Sequence, residues 1–195
     1  MKKLETSYLG LALSSPVIVS SSPFTASVES IVELEKAGAG AVVLKSIFEE
    51  QIDGEAATLE HYSAYPEASG YLARYLEADY IRGFLDMIAA LKRTTKIPVI
   101  ASINCAESGS WVDYAKQIAA AGADALELNV FFLATDDRSS AAAIEERYAS
   151  IVGAVAEAVS IPVSVKLSPR FTNIHAVLRA LYNRGAKGAT LYNRF

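Results

Sequence analysis

Short runs of β-branched and aliphatic residues recur along the chain, separated by longer stretches with helical spacing. Pro16-Val17-Ile18-Val19 is the first run that reads as a buried strand, after a lead from Tyr8 to Ser15 that reads as a short hairpin or irregular segment. Further strands are expected at 41–46, 99–104, 125–131, 163–167 and 188–193. Between them, Ala26 to Ala37 carries Val28, Ile31, Val32 and Leu34 at roughly helical intervals. Amphipathic helices are likewise expected from Tyr80 to Arg93, from Ser110 to Ala121, from Ala141 to Val159 and from about Asn173 to Tyr182. In the helix from Ala141, Ile144, Tyr148, Ile151, Val152 and Val155 form one apolar stripe, and Ser139-Ser140 stand where a cap belongs. Strand and helix alternate throughout, which is the pattern of a parallel α/β fold.

A repeat sharpens this reading. Ala37-Gly38-Ala39-Gly40-Ala41-Val42-Val43-Leu44 returns as Ala121-Gly122-Ala123-Asp124-Ala125-Leu126-Glu127-Leu128, and again as Arg184-Gly185-Ala186-Lys187-Gly188-Ala189-Thr190-Leu191. Each copy is a helix end, a glycine C-cap, a short loop and the start of a strand. Lys96-Ile97-Pro98-Val99-Ile100 similarly reappears as Ser160-Ile161-Pro162-Val163-Ser164. Stacked β/α units follow. Gly38 and Gly40 precede a strand rather than follow one, so they are not a dinucleotide fingerprint, and no phosphate-loop motif occurs. Without a motif marking a reversal of strand order, six consecutive units read as an unfinished (β/α)8 barrel of the TIM type, one domain over 1–195. The polar and aromatic excursion at about 47–78, with His61, Tyr62, Tyr65, Tyr71 and Tyr75, is long enough to be a lid or binding loop, or an oligomer contact.

Composition narrows the function classes. Apolar residues make up 52% of the 195, mean hydropathy is +0.24, and no apolar run approaches the ~20 residues of a membrane span. The N-terminus lacks a signal-peptide core, so the cytoplasm is the expected compartment. A net charge of −4 without a basic run argues against nucleic acid as partner. Cys105 stands alone and the two histidines, His61 and His175, are far apart, which disfavours disulfide, metal or histidine-based chemistry.

The candidate chemistry lies at the strand ends. In Ser160-Ile161-Pro162-Val163-Ser164-Val165-Lys166-Leu167-Ser168-Pro169, a lysine occupies a position where a core strand would carry another aliphatic residue. Burying an unmatched ammonium costs several kcal/mol, so Lys166 needs a partner or a ligand. Lys45, Asn104, Asn129 and Asn193 end other strands in the same way. Ligands of parallel α/β folds sit at the carboxyl ends of the strands. Two lysines and three asparagines would therefore converge on one polar floor. Ser20-Ser21-Ser22, after the first strand, would let a ligand approach the backbone.

In this arrangement the chain resembles the class 1 dihydroorotate dehydrogenases, FMN-dependent (β/α)8 barrels. The resemblance spans nearly all of the chain. Gly40-Ala41-Val42-Val43-Leu44-Lys45-Ser46, Glu127-Leu128-Asn129, Val165-Lys166-Leu167-Ser168-Pro169 and the terminal Asn193 carry it. It implies FMN as cofactor, a small cyclic orotate-like substrate, and allows a homodimer. It also implies roles: Ser20, Ser21 and Ser22 pack their backbone against the flavin. Lys45 and Ser46 contact the isoalloxazine and the substrate edge. Asn129 binds flavin and substrate, Lys166 lies beside the flavin pyrimidine ring, and Asn193 grips the substrate. A lysine at that ring would stabilise the negative charge of reduced flavin.

Four departures qualify the match, one being that the family's glycine after strand three is replaced around Asn104-Cys105. The family's Cys or Ser general base, followed by Pro-Asn, is replaced by Val130-Phe131-Phe132-Leu133-Ala134-Thr135-Asp136, with Phe132 at the base position. Thr135, Asp136 or Asp137 would have to serve instead, Asp136 being the candidate catalytic acid/base beside Lys45 and Lys166. The asparagine-rich segment between strands two and three is replaced by the tyrosine-rich excursion. Six strands rather than eight make the chain read as the first part of a longer frame, without the loops that hold a barrel-bound flavin phosphate. Besides dihydroorotate oxidation, the alternatives are a related flavoenzyme acting on another dihydropyrimidine or unsaturated cyclic substrate, and a flavin-binding barrel without turnover.

Overall fold

The computed structural model describes residues 4–48, 69–105, 108–132 and 137–193, with only the backbone of 69–79 and 108. The chain starts with an antiparallel hairpin, β1 (Thr6–Tyr8) and β2 (Leu11–Leu13), turning through Leu9 and Gly10 with positive φ at both. The β/α series follows: β3 (Ile18–Val19), α1 (Val28–Lys36), β4 (Ala41–Val43), β5 (Ile47–Phe48), α2 (Ser69–Thr94), β6 (Val99–Asn104), α3 (Ser108–Ala120), β7 (Ala125–Asn129), α4 (Ala141–Ala158), β8 (Val163–Leu167), α5 (Ile174–Asn183) and β9 (Gly188–Leu191).

All pairings in the main sheet are parallel, and the spatial order β3-β4-β6-β7-β8-β9 is the chain order. Successive helices also pack on their neighbours, α1 on α2, α2 on α3, α3 on α4 and α4 on α5. Nothing in that order reverses. This is the winding of a barrel rather than of a doubly wound sheet, and the described strands form a six-stranded half-barrel.

The repeated phrase builds the turn into each new strand in one way. The N–H groups of Gly38, Gly122 and Gly185 donate to Glu35, Ala119 and Tyr182, and those of Ala39, Ala123 and Ala186 donate to Leu34, Ile118 and Leu181. The next residue then reaches the preceding strand: Gly40 N to Val17 O (2.8 Å), Asp124 N to Val99 O (2.9 Å) and Lys187 N to Val163 O (2.8 Å). The three glycines have φ of +98°, +98° and +106°, a region that L side chains avoid. Helix starts are capped by side chains, Ser27 accepting from Ser30 N, Ser140 from Ala143 N and Asn173 from Ala176 N.

Two apolar cores lie on opposite faces of the sheet. Val42, Leu44, Val99, Ala101, Ile103, Leu126, Leu128, Val163, Val165 and Leu167 face the helices. Ala41, Val43, Ile100 and Ala125 face the barrel interior, where Leu13, Tyr8, Leu9 and Leu11 of the hairpin pack on them. The hairpin thus plugs the N-terminal end of the barrel and leaves the C-terminal end to the polar side chains.

The expected elements hold with shifted ends. The helix expected from Tyr80 begins at Ser69, so the excursion expected at 47–78 is a strand at Ile47–Phe48 and helix from Ser69; its residues 49–68 lie outside those described. The strands expected to 131 and 193 end at Asn129 and Leu191. The strand expected at 41–46 is split, for a reason that shapes the site.

Candidate functional site

Val43 pairs with Ile100, yet Ile47 pairs with Ile103. Three residues therefore oppose two between these pairs, an extra residue of the kind that makes a β-bulge. Leu44 N still donates to Ile100 O, but Lys45 N donates to Thr25 O (3.1 Å) and Ser46 N to Ser21 Oγ (2.9 Å). The second strand thereby leaves the third and is stitched to the loop after the first. Both Lys45 and Ser46 then line the same cleft, which simple alternation would not allow.

That cleft has a volume of ≈ 740 Å³, within the range of small-molecule sites. Its walls include Ser20, Ser21, Ser22, Lys45, Ser46, Asn104, Asn129, Lys166 and Asn193, so the described site residues predicted from the sequence meet in one place. Phe48, Phe131, Thr190 and Tyr192 contribute the rest of its lining with Pro23. Asp136 and Thr135 lie outside the described residues, and Asp137 is exposed. Among the described residues that line the cleft there is no carboxylate, thiol or imidazole. Nor do the described residues hold a cluster of three or more His, Cys, Asp and Glu suited to a metal.

Hydrogen bonds fix part of this lining. Asn193 Nδ2 donates to Asn129 Oδ1 at 2.7 Å, joining strand ends 64 residues apart in sequence. Ser46 Oγ lies 2.8 Å from Ser102 Oγ and 3.0 Å from Ser21 Oγ, and Ser46 and Ser102 are buried. Ser46 is thus chiefly a buried tie between three strand ends, whereas Ser20 is exposed. Lys45 Nζ lies 5.1 Å from the Phe48 ring centroid, a cation–π contact that keeps the ammonium at the rim. Both lysines are half-buried.

Phe132 does not fill the cleft, contrary to its expected place at the base position. It packs on the helical layer, its ring 5.4 Å from that of Tyr148 in a T-shaped contact, with the Arg147 guanidinium 3.7 Å from its centroid. Tyr148 in turn meets Phe171 edge-on at 5.3 Å. Alternation past Asn129 explains the swap: Phe131 falls on the interior side with Asn129, and Phe132 on the helix side with Val130.

One interior residue escaped notice as a site residue. Glu127 sits two positions before Asn129 on the same strand face and is 3% exposed. Thr190 Oγ1 donates to its Oε2 at 2.6 Å. Burial raises its carboxyl pKa, against the lowering effects of the Thr190 bond and of the Lys166 charge. The period-2 pattern Ala125, Glu127, Asn129 held this signal, since a strand whose even positions are all aliphatic must point its odd positions inward.

The comparisons agree with this geometry. The family model described as dihydroorotate dehydrogenase matches residues 3–193. Relatives include the "Dihydroorotate dehydrogenase B (NAD(+)), catalytic subunit" of Thermoplasma acidophilum, 29% identical over 92% of this chain and 59% of that protein. The protein of the same description from Methanosarcina acetivorans is 30% identical over 94% of this chain and 59% of its own. The chain thus spans about 59% of the length of these relatives. Among solved structures, a phosphonopyruvate hydrolase complex with oxalate and Mg++ superposes with a TM-score of 0.56 at 19% identity, covering 92% of this chain and 59% of that one. An IMP dehydrogenase/GMP reductase-like protein from Corynebacterium glutamicum gives 0.54 at 14% identity, covering 96% and 47%. These structural likenesses speak for the barrel fold alone. A family match over residues 3–193, on a half-barrel that gathers the expected strand-end lysines and asparagines into one cleft, establishes that the chain belongs to the dihydroorotate dehydrogenase family.

Proposed function

We propose that this chain forms the ring-binding part of an FMN-dependent oxidoreductase of the dihydroorotate dehydrogenase type, oxidising dihydroorotate to orotate in pyrimidine biosynthesis. The observation that carries the reading is the meeting of Lys45, Asn129, Lys166 and Asn193 above Ser20–Ser22 in one ≈ 740 Å³ cleft. The donor set fits the ring end of FMN: ammonium and amide groups suit the carbonyl oxygens and ring nitrogens of its pyrimidine edge. The phosphate of a barrel-bound flavin rests on loops after strands 7 and 8, beyond the six strands described.

When bound, FMN would supply the hydride acceptor. The protein's own residues do the rest. Lys166, which lines the cleft, would hold a positive charge available to the negative charge of a reduced flavin ring. Asn129 and Asn193, already bonded to each other, present a fixed amide pair to a planar cyclic substrate, which lowers the entropy lost on binding. Lys45 at the rim, held over Phe48, suits an anionic substrate edge such as the carboxylate of orotate. Phe48, Phe131 and Tyr192 give the cleft an aromatic side that excludes water. The acid/base step belongs in this reading to Asp136, with Thr135 as the other candidate.

A second reading has its own observation in its favour. The described residues lining the cleft include no carboxylate, thiol or imidazole to serve as general base. This favours a related flavoenzyme that acts on another dihydropyrimidine or unsaturated cyclic compound, or a flavin-binding barrel without turnover. An absorbance spectrum of the purified protein before and after anaerobic dihydroorotate separates the readings. Flavin bands that bleach support dihydroorotate oxidation. Bands that bleach only with a chemical reductant support the second reading, and a colourless protein that fails to take up FMN refutes both.

A further inference from the structure

We propose that Glu127 is the charge-balancing residue of the cleft floor, taking up one proton when negative charge settles over Lys166. The inference rests on the flavin reading above and extends it to a residue beneath the ligand.

The interior of the barrel is layered by strand register. Ser102, Glu127, Ser164 and Gly188 are paired across β6 to β9 in one layer, and Asn129, Lys166 and Thr190 are paired in the layer above. Glu127 thus lies one layer below Lys166, roughly 6.6 Å along the strand direction. The hydroxyls beside it are occupied elsewhere, Ser102 with Ser46 and Ser164 donating to Leu126 O. Its side-chain hydrogen-bond partner is Thr190, which sits beside Lys166. From below, Tyr8 of the hairpin rises into the space left by the missing side chain of Gly188; a Cβ there would lie 3.2 Å from its hydroxyl. Burial raises the pKa of the Tyr8 phenol and the Glu127 charge adds to the rise, against the lowering effects of Thr190 and Ser164, so the phenol stays protonated. Among the described residues, the titratable groups facing Glu127 are therefore Tyr8 from β1 and Lys166 from β8.

In this enclosure the Glu127 carboxylate depends on Lys166 for its opposite charge. Together they sum to zero. An anionic ring above Lys166 brings the floor to −1 and claims the same ammonium, so the ionised form of Glu127 loses its compensation. One proton from solvent, bound to the carboxylate, restores neutrality, and Thr190 remains beside the acid as a hydroxyl able to accept as well as donate. Glu127 is a positioning residue here, since it acts on the ring only through Lys166.

The test is the pH dependence of the midpoint potential of the FMN-loaded protein, reduced with dithionite. Each proton taken up with two electrons contributes about 30 mV per pH unit. Formation of an anionic reduced ring takes one proton, and Glu127 takes a second, so the expected slope is about 60 mV per pH unit for the wild type and about 30 for Glu127→Gln. Equal slopes in the two proteins would overturn the proposal. Should Glu127→Gln not fold, the reduced-minus-oxidised infrared spectrum of the wild type decides: a new carboxylic acid carbonyl band supports uptake by a buried acid, and its absence refutes it. Failure to bind FMN at all strikes the flavin reading first, and the inference with it.

Discussion

Gly38 and Gly185 occupy the same place in two copies of the repeat, with φ of +98° and +106° and the same hydrogen bonds around them. Their surroundings differ. A Cβ on Gly38 meets nothing within 4 Å, whereas one on Gly185 would lie 2.7 Å from the Cβ of Ala156 on α4. Gly38→Ala therefore isolates the backbone cost, about 1–2 kcal/mol for a left-handed L residue, offset by roughly 0.4–1 kcal/mol from a stiffer unfolded chain. The net expectation is about 1 kcal/mol. Gly185→Ala carries the same cost and adds an overlap that no flexible side-chain tip relieves, worth about 1–3 kcal/mol more.

Urea unfolding at one pH gives both values from midpoints and slopes. A gap of about 2 kcal/mol between the variants corresponds to about 4–8 °C in Tm for a chain of this size. Adding Ala156→Gly to Gly185→Ala should recover the overlap, though not the backbone cost, and a double-mutant cycle measures that recovery directly. Equal destabilisation by Gly38→Ala and Gly185→Ala would refute the packing argument. A neutral Gly38→Ala would refute the claim that the repeated turn requires positive φ.

Three further predictions address the site and its frame. Because Glu127 has a raised pKa in the folded protein, the unfolded chain releases its proton first as pH rises; stability should fall through the window above the ordinary glutamate range, by at most about 1.4 kcal/mol per pH unit. Glu127→Gln should flatten that slope in urea titrations across pH, and an unchanged slope would refute the assignment. Asp124 accepts from Val99 N at 2.8 Å and from Lys92 Nζ at 2.7 Å, so Asp124→Ala should cost about 1–2 kcal/mol and Lys92→Ala less than about 1, by the same unfolding assay. Phe132→Ala should lower stability by about 2 kcal/mol and leave FMN affinity in place, while Phe131→Ala should weaken FMN binding, read by flavin fluorescence, at little cost in stability; the reverse pattern would contradict the orientation of this loop.

The sequence made the frame legible because its signals were local and repeated. A glycine C-cap followed by Ala and a hydrophobic run needs no tertiary information to be read as a turn into a strand, and all three copies fold that way. The strand-end lysines and asparagines were legible for a related reason, since parallel strands deliver their C-terminal residues to one end. What failed was phase. Phe132 was expected in the cleft by its offset from Asn129, and the pleat puts Phe131 there instead. The bulge at Leu44–Ser46 was invisible because it exists only in the mismatch of register between Val43↔Ile100 and Ile47↔Ile103. Helix α2 began earlier than expected because the stretch from Ser69 carries aromatic residues whose helical propensity is modest and whose spacing read as a loop.

Phase also divides the strands of the half-barrel between a helix-facing core and a polar interior. On β7, Leu126 and Leu128 belong to the helix-facing core, while Ala125, Glu127 and Asn129 climb the interior from apolar floor to carboxylate to amide. On β8, Val163, Val165 and Leu167 do the packing, while Ser164 and Lys166 repeat the climb one strand over. Polarity inside the barrel therefore rises along the strands, away from the hairpin plug. Substitutions that keep one parity leave the other's task alone, so ligand chemistry at the odd positions of β7 can vary without repacking the helices. The pair Glu127 and Lys166 is the exception that links the layers: burial raises the Glu127 carboxyl pKa, and the Lys166 charge one layer above acts against that rise.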